Sequence, residues 1–302
     1  MSELEAKPFL KWAGGKTQLL PAISDKISFT LEEKFTYIEP FVGSGAVLFW
    51  ILNSYPQIEK AVINDINLDL INGYKVIKHN VDDLIIILNN LQEKFYLLLG
   101  NKEEKNSFYY SQREVFNQRK SNIVEQTALF IFLNKTCFNG LYRVNRKNQF
   151  NVPIGSYKKP LICDRENLKA TSKALQKVEI LHGDFEQIFE YTHEKCLVYL
   201  DPPYKPLTTT ANFNSYASSD FNDDEQIRLK EFCDRIDKLG CQWILSNSDV
   251  TSANPNDDFF DDLYQNYQIN RVLARRSINS KSDRRGQLNE LLISNKKNKK
   301  ES

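Results

Sequence analysis

The chain is poor in residues that staple, ligate or anchor. Its 302 residues include five cysteines, three histidines and one methionine. The cysteines stand at 137, 163, 196, 233 and 241, and none forms a C-x-x-C. A disulfide scaffold or zinc site is therefore not expected, and a reducing cytoplasm fits. The stretch MSELEAKPF lacks an apolar run, so no signal peptide is expected. The greasiest stretches, LIIIL and ALFIFL, fall far short of a membrane span. Excess charge of one sign is also missing. The formal net charge is +1, so any grip on a polyanion must come from a local patch.

Two nucleotide signatures are incomplete. KWAGGKTQLL (11–20) ends like a phosphate-binding loop, but that loop needs a glycine five positions before Gly15, and Leu10 stands there. The preceding SELEAKPFLKW is too short and too charged for a buried strand leading into the loop. A nucleotide hydrolase is disfavoured. The turn EPFVGSG (39–45) is not a full G-x-G-x-x-G, which disfavours a nicotinamide site.

What is present is an interrupted α/β rhythm. Apolar residues make up 41% of the chain, enough for a sizeable core and one or two domains. FTYIEP (35–40) reads as a strand, FVGSG (41–45) as a glycine turn, and GAVLFWILNSY (45–55) as a helix. AVINDIN (61–67) reads as a second strand ending on an acid. From 68 to 135 the apolar spacing is helical, as in DDLIIILNNLQEKFYLLL and EQTALFIFLNK. Residues 136–165 are rich in Asn, Gly, Arg and Lys and alternate like a hairpin. The α/β rhythm then resumes. VEILHGDF (178–185), CLVYLDPPY (196–204) and CQWILSNSD (241–249) read as strands, and 223–240 as an amphipathic helix. The simplest organisation is a discontinuous α/β domain, 1–67 and 166–302, with a mainly helical domain inserted at 68–165.

The chemistry gathers at strand ends, where open α/β sheets bind ligands. Asp201, Pro202, Pro203 and Tyr204 follow a very apolar strand. Two prolines remove two N–H donors and stiffen the backbone. The Pro202 carbonyl then sits as a fixed acceptor beside the Asp201 carboxylate, and Tyr204 offers a flat face. Two acceptors and an aromatic plate suit an exocyclic amine on a planar base; a plain polyproline turn is the alternative. The glycines of 39–45 allow close backbone approach. Asp65 ends the next strand, where an acid commonly holds ribose hydroxyls, and Asp184 ends a third.

KWAGGK, EPFVGSG, NGLYRVN, GDF and DPPY, in that order, resemble the Dam-type DNA adenine-N6 methyltransferase family over roughly residues 8–295. RRSINSKSDRRGQLNELLISN resembles its C-terminal segment. The resemblance implies a doubly wound, Rossmann-like S-adenosylmethionine-dependent sheet with an inserted, mainly helical DNA-recognition domain bearing a β-hairpin. It implies S-adenosylmethionine as methyl donor and no metal. Trp12, Ala13, Gly14, Gly15 and Lys16 would line the donor pocket. Glu39, Pro40, Phe41, Gly43, Ser44 and Gly45 would surround the methionine part. Asp65 would take the ribose, Asp184 and Phe185 the adenine end, and Asp201 would lie between donor and target. No cysteine nucleophile is needed, and no Pro-Cys motif is present.

The implied substrate is double-stranded DNA with the target base flipped into the pocket. Residues 135–165 hold seven basic residues (Lys135, Arg143, Arg146, Lys147, Lys158, Lys159 and Arg165) against one acid, Asp164. By the resemblance, Arg143 would read a guanine, while Lys11, Phe138, Asn139, Gly140, Leu141, Asn145 and Tyr157 would also meet DNA. Lys11 and NGLYR point to GATC. Residues 205–221 read as a closing loop, with an ordinary surface loop as the alternative, and Arg275, Arg276, Arg284 and Arg285 either add phosphate contacts or only solvate the surface. The chain would act as a cytoplasmic monomer, alone or beside a cognate restriction endonuclease. Cytosine-N4 methylation is the rival within the class, and a catalytically idle DNA-binding protein the rival outside it. The Asp in DPPY, rather than Ser, favours adenine.

Overall fold

The computed structural model of the chain describes residues 4–12, 16–206, 221–252, 254–275 and 287–295. Two compact units divide it. The first comprises Met1–Gly15, Gly43–Ser54 and Asn67–His182; the second comprises Lys16–Val42, Tyr55–Ile66 and Gly183–Ser302. Among the described residues the strands form a seven-stranded mixed sheet.

The second unit contains the short helix α1 (Leu20–Lys26) and the strands β1 (Thr36–Glu39), β2 (Lys60–Ile63), β4 (Cys196–Leu200), β5 (Gln242–Ser248), β6 (Gln268–Arg275) and β7 (Gln287–Ser294), in the spatial order β2-β1-β4-β5-β7-β6. β1, β2, β4 and β5 run parallel, with Ile38 beside Val62 and Val198, and Leu200 beside Leu245. Every residue of β4 and β5 is buried, which explains why CLVYL reads as an unbroken apolar run. β7 runs antiparallel to β5 and pairs Glu290 with Ser248. Reversing one strand brings its beginning to the edge where the parallel strands end. The sequence reading missed the β6–β7 pair. Helix α8 (Asp223–Lys238) is capped by Asn222, whose side chain accepts from the Glu225 N–H. It buries Leu229, Phe232, Cys233 and Ile236, a spacing of three and four.

The first unit is mainly helical. It holds α2 (Ala46–Ser54), α3 (Leu68–His79), α4 (Val81–Leu97), α5 (Lys102–Gln118), α6 (Ile123–Thr136), α7 (Arg165–Ala174) and the short β3 (Val178–Ile180). Asn67, Asn101, Asn122 and Asp164 cap α3, α5, α6 and α7 by accepting backbone N–H groups. α6 is buried on nearly every side from Thr127 to Leu133, with Phe132 edge-on to Phe95 and Phe108 at 5.7 Å each. The segment after it is a looser hairpin than its alternation implied. It is pinned by two isolated antiparallel bridges, Cys137 to Ile154 and Val144 to Phe150. The strand expected over 178–185 stops at Ile180, because Gly183 turns the chain at φ +133° and Asp184 caps a 3-10 turn over Phe185–Tyr191. Among the described residues no helix is long and apolar enough to cross a membrane.

Candidate active site

Register assembles the acidic end of the second unit. Leu200 pairs with Leu245, so Asp201 leaves β4 beside Ser246. Ser246 Oγ donates to Asp201 Oδ1 at 3.2 Å, and Tyr199 Oη lies 2.8 Å from the same hydroxyl. Lys16 Nζ approaches Asp201 Oδ1 at 3.1 Å and Glu290 at 3.9 Å. Tyr204 donates its hydroxyl to Glu290 Oε2 at 2.8 Å, and Lys16 Nζ stands 4.3 Å from the centre of its ring. Lys16 thus touches Asp201, Glu290 and the Tyr204 plate at once.

The electrostatics follow from burial. Desolvation pushes the Asp201 carboxyl above the usual range, and the Glu290 charge adds to it; Lys16 and Ser246 pull it back. Burial, then the charges of Asp201 and Glu290, holds the Tyr204 phenol well above its ordinary pKa, so it remains a donor. Lys16 and Ser246 both fall on Oδ1 of Asp201. Among the described residues Oδ2 is left to accept from something else. Beside it, Pro202 is buried, and the Pro203 carbonyl accepts from Gln226 at 3.1 Å.

The ends of β1 and β2 meet the GDF turn in the same unit. Asn64 donates to the carbonyls of Pro40 (3.2 Å) and Gly183 (2.9 Å), and Gly183 N–H donates to the Asp65 carbonyl at 3.2 Å. The Asn64 amide oxygen is buried without a partner among the described residues. Phe41 lies 5.4 Å from Phe185, centre to centre. Asp184 is committed to Arg228 through two hydrogen bonds of 3.1 and 2.7 Å, and Arg228 holds it below the usual carboxylate range. Glu39 is buried and accepts from the Tyr37 hydroxyl at 2.7 Å.

The first unit gathers the other group of candidates. The Trp12 ring packs on Gly43, where an added Cβ would meet its Cδ1 and Nε1 at 3.3 Å. Tyr74 donates to the Gly43 carbonyl at 2.9 Å, and its hydroxyl would lie 2.6 Å from a Cβ at Gly45. Both glycines have positive φ, +49° and +77°, so the turn needs them twice over. Ser44 is buried between them.

Lys11 and Gly140 are clamped by one side chain. Asn134, wholly buried, accepts from Lys11 N–H at 2.8 Å and donates to the carbonyls of Lys11 (2.8 Å) and Gly140 (2.9 Å). Gly140 has φ +65°, and an added Cβ would strike Lys11 Cβ at 2.6 Å. Lys11 Nζ sits 3.8 Å above the Tyr157 ring. Phe138 is 51% exposed, and Asn139 is exposed in a left-handed conformation. Leu141 is half-buried.

The hairpin tip is shaped by Asn145, whose Oδ1 accepts from Lys147 N–H (2.9 Å) and Gln149 N–H (3.0 Å). Arg143 is exposed and donates from Nε to Asn151 Oδ1 at 2.8 Å. Tyr142 anchors the base of the hairpin. It stacks on Trp12 at 5.6 Å and donates to Asp69 Oδ2 at 2.6 Å, and Asp69 also pairs with Arg119.

Sequence reasoning missed Glu290, Ser246, Asn134, Tyr142 and Tyr74. Glu290 and Ser246 become neighbours of Asp201 only through sheet register. Asn134 lies in a run that reads as plain core. Ala13, Gly14 and Gly15, residues 207–220 of the expected closing loop, and Arg276, Arg284 and Arg285 lie outside the described residues, as does the Arg275 side chain.

A parallel sheet closed by an antiparallel pair, with a D-P-P-Y end on β4, defines a Rossmann-like methyltransferase fold. Residues 12–278 match the model of the D12 class N6 adenine-specific DNA methyltransferases, and the chain belongs to that family. It is 51% identical over 297 residues to the Type II methyltransferase M.MjaIII of Methanocaldococcus jannaschii, covering 97% of this chain and 100% of that one. It is 38% identical to the Type II methyltransferase M1.LlaDCHI of Lactococcus lactis, over 97% of each chain. It is 35% identical to the DNA adenine methylase of Haemophilus influenzae, over 96% of this chain and 94% of that one. Family membership makes the chain an adenine-N6 DNA methyltransferase, with S-adenosylmethionine as the implied methyl donor and DNA as the implied substrate.

The second unit's donor set fits that cofactor chemically. Asp65 and Asp201 are strand-end carboxylates suited to ribose hydroxyls and to a sulfonium cation. Phe41 and Phe185 are flat apolar surfaces suited to a purine.

Proposed function

We propose that the chain methylates N6 of an adenine flipped out of double-stranded GATC. The observation that carries this is the Asp201 carboxylate at the end of β4, with Oδ1 held by Lys16 and Ser246 and, among the described residues, Oδ2 left to accept. Oδ2 and the Pro202 carbonyl accept the two N–H bonds of the target amine. This draws the amine toward tetrahedral geometry and frees its lone pair from the ring. Tyr204 stacks on the flipped base. Positioning supplies most of the acceleration, and no covalent intermediate forms on the chain.

When bound, S-adenosylmethionine supplies an electrophilic methyl group on sulfur. Lys16, Phe41, Asp65, Phe185 and Asp201 are the donor residues proposed in the second unit, with Asp184 fixing the turn that carries Phe185. Glu39 and Pro40 support that strand end. Trp12, Gly43, Ser44 and Gly45 are assigned to the donor by their motifs.

On the DNA side, Arg143 reads a guanine edge, its guanidinium oriented by Asn151 through Nε. Lys11, Phe138, Asn139, Gly140, Leu141, Asn145 and Tyr157 meet DNA around the flipped base. Two relatives are named Type II methyltransferases, which favours a cognate restriction endonuclease acting separately on the same sequence. The enzyme works in the cytoplasm as a monomer.

The test is methyl transfer from labelled S-adenosylmethionine to two duplexes, identical except that one carries GATC and the other GGTC with its complement. Label in the first alone is expected. Equal label in both would discard GATC.

A further inference from the structure

Glu290 lies in the stretch RRSINSKSDRRGQLNELLISN, where the sequence reading assigned it no role, yet it sits within the charged cluster at the end of β4. It accepts the Tyr204 hydroxyl at 2.8 Å and stands 3.9 Å from Lys16 Nζ, which in turn lies 3.1 Å from Asp201. Its side chain is 14% exposed, so its charge acts in a partly desolvated setting. Its place follows from register. β7 runs antiparallel to β5 and pairs Glu290 with Ser248, two residues beyond the Ser246 that holds Asp201.

Lys16 lies between two carboxylates. Its ammonium holds Oδ1 of Asp201, the group whose Oδ2 is assigned to the incoming amine. A second carboxylate 3.9 Å away pairs with the same ammonium and keeps it on Oδ1. The same carboxylate fixes the tilt of the Tyr204 ring through its hydroxyl.

We propose that Glu290 is a positioning residue of the reaction. It orients the Tyr204 plate and steadies the Lys16 ammonium on Asp201 Oδ1 while the adenine amine engages Oδ2. This rests on the assignment of Asp201 and Tyr204 to the reacting base.

The test is single-turnover methylation of unmethylated genomic DNA, which does not depend on GATC, by Glu290→Ala, Glu290→Gln, Tyr204→Phe, Asp201→Ala and the double variant Glu290→Ala/Tyr204→Phe. Donor affinity and the fluorescence of 2-aminopurine at the target position of a duplex are read alongside. Glu290→Ala is expected to slow transfer by about tenfold or more, with donor affinity changed by less than about threefold. Glu290→Gln, which keeps an acceptor but loses the charge, should fall between it and wild type. The 2-aminopurine signal of Glu290→Ala should shift in the same sense as that of Tyr204→Phe. The double variant should lose less than the product of the two single losses, because both break one contact. Rates within twofold of wild type for both Glu290 variants, or losses that simply multiply, would overturn the proposal. Asp201→Ala separates this from a failure of the underlying assignment. An inactive Asp201→Ala beside near-wild-type Glu290 variants sinks only the role of Glu290, whereas an active Asp201→Ala sinks the assignment.

Discussion

The carboxylate end of β4 and the hairpin that carries Arg143 are held in opposite ways. Asp201 leaves a strand whose every residue is buried, beside another such strand, with Lys16, Ser246, Glu290 and Tyr204 locked around it. The hairpin has two isolated bridges, a tip folded on Asn145, and an exposed arginine. Its firmness is borrowed from below, where Tyr142 reaches Asp69 and Asn134 ties Lys11 to Gly140. Under the proposed function the contrast has a physical reason. Polarising an amine needs acceptors that do not reorganise, and low local dielectric strengthens them. Reading a base edge needs donors that reach outward into a groove.

If this division is correct, damage to the two regions should read out differently. The largest effect belongs to Asp201→Ala, expected to cut single-turnover methyl transfer by about a thousandfold or more while donor binding stays detectable. A rate near wild type would erase the distinction at its root.

Lys16→Gln sharpens the account of the same end. Lys16 opposes the upward push of burial on Asp201, so removing it lets the carboxyl pKa rise further. In the proposed mechanism Asp201 must be ionised to accept from the amine. The acid limb of the rate–pH profile should therefore move to higher pH, and the neutral-pH rate should drop by about tenfold. An unmoved limb would detach Lys16 from Asp201.

The smallest effect is Arg228→Ala. Arg228 depresses the Asp184 pKa in the folded state, so its stabilisation is present above the unfolded value of about 4 and is lost as pH falls through the depressed value. Both groups are partly exposed, and screening leaves about 0.5 kcal/mol at neutral pH. Thermal unfolding at pH 7 and pH 3 should show that difference shrink at the lower pH; a constant difference would mean lost packing on Phe185 instead.

These expectations draw unequally on what the sequence carried. The strand ends were legible because buried parallel strands read as apolar runs, and an acid or glycine after such a run stands out. DPPY and EPFVGSG announced themselves that way. The helices of the first unit were legible from their spacing. Glu290 was not, because a strand that runs backward brings its first residues to the site, and nothing local in QLNELLIS marks that direction. Asn134 was hidden for a different reason. A lone polar residue at the end of a greasy helix looks like a boundary, and only the backbone of Lys11, 123 residues away, together with that of nearby Gly140, turns it into a clamp. Tyr142 stood in plain view within NGLYR, but its partner Asp69 lies 73 residues away.

The central claim is that chemistry and sequence choice are carried by different regions, and Arg143→Ala tests it most directly. Single-turnover rates are measured at saturating DNA on the GATC duplex and on the altered duplex, for wild type and variant. The account predicts a GATC rate within about threefold of wild type and a preference for GATC reduced by about 1–3 kcal/mol. A GATC rate that collapses as in Asp201→Ala, with the preference unchanged, would contradict it.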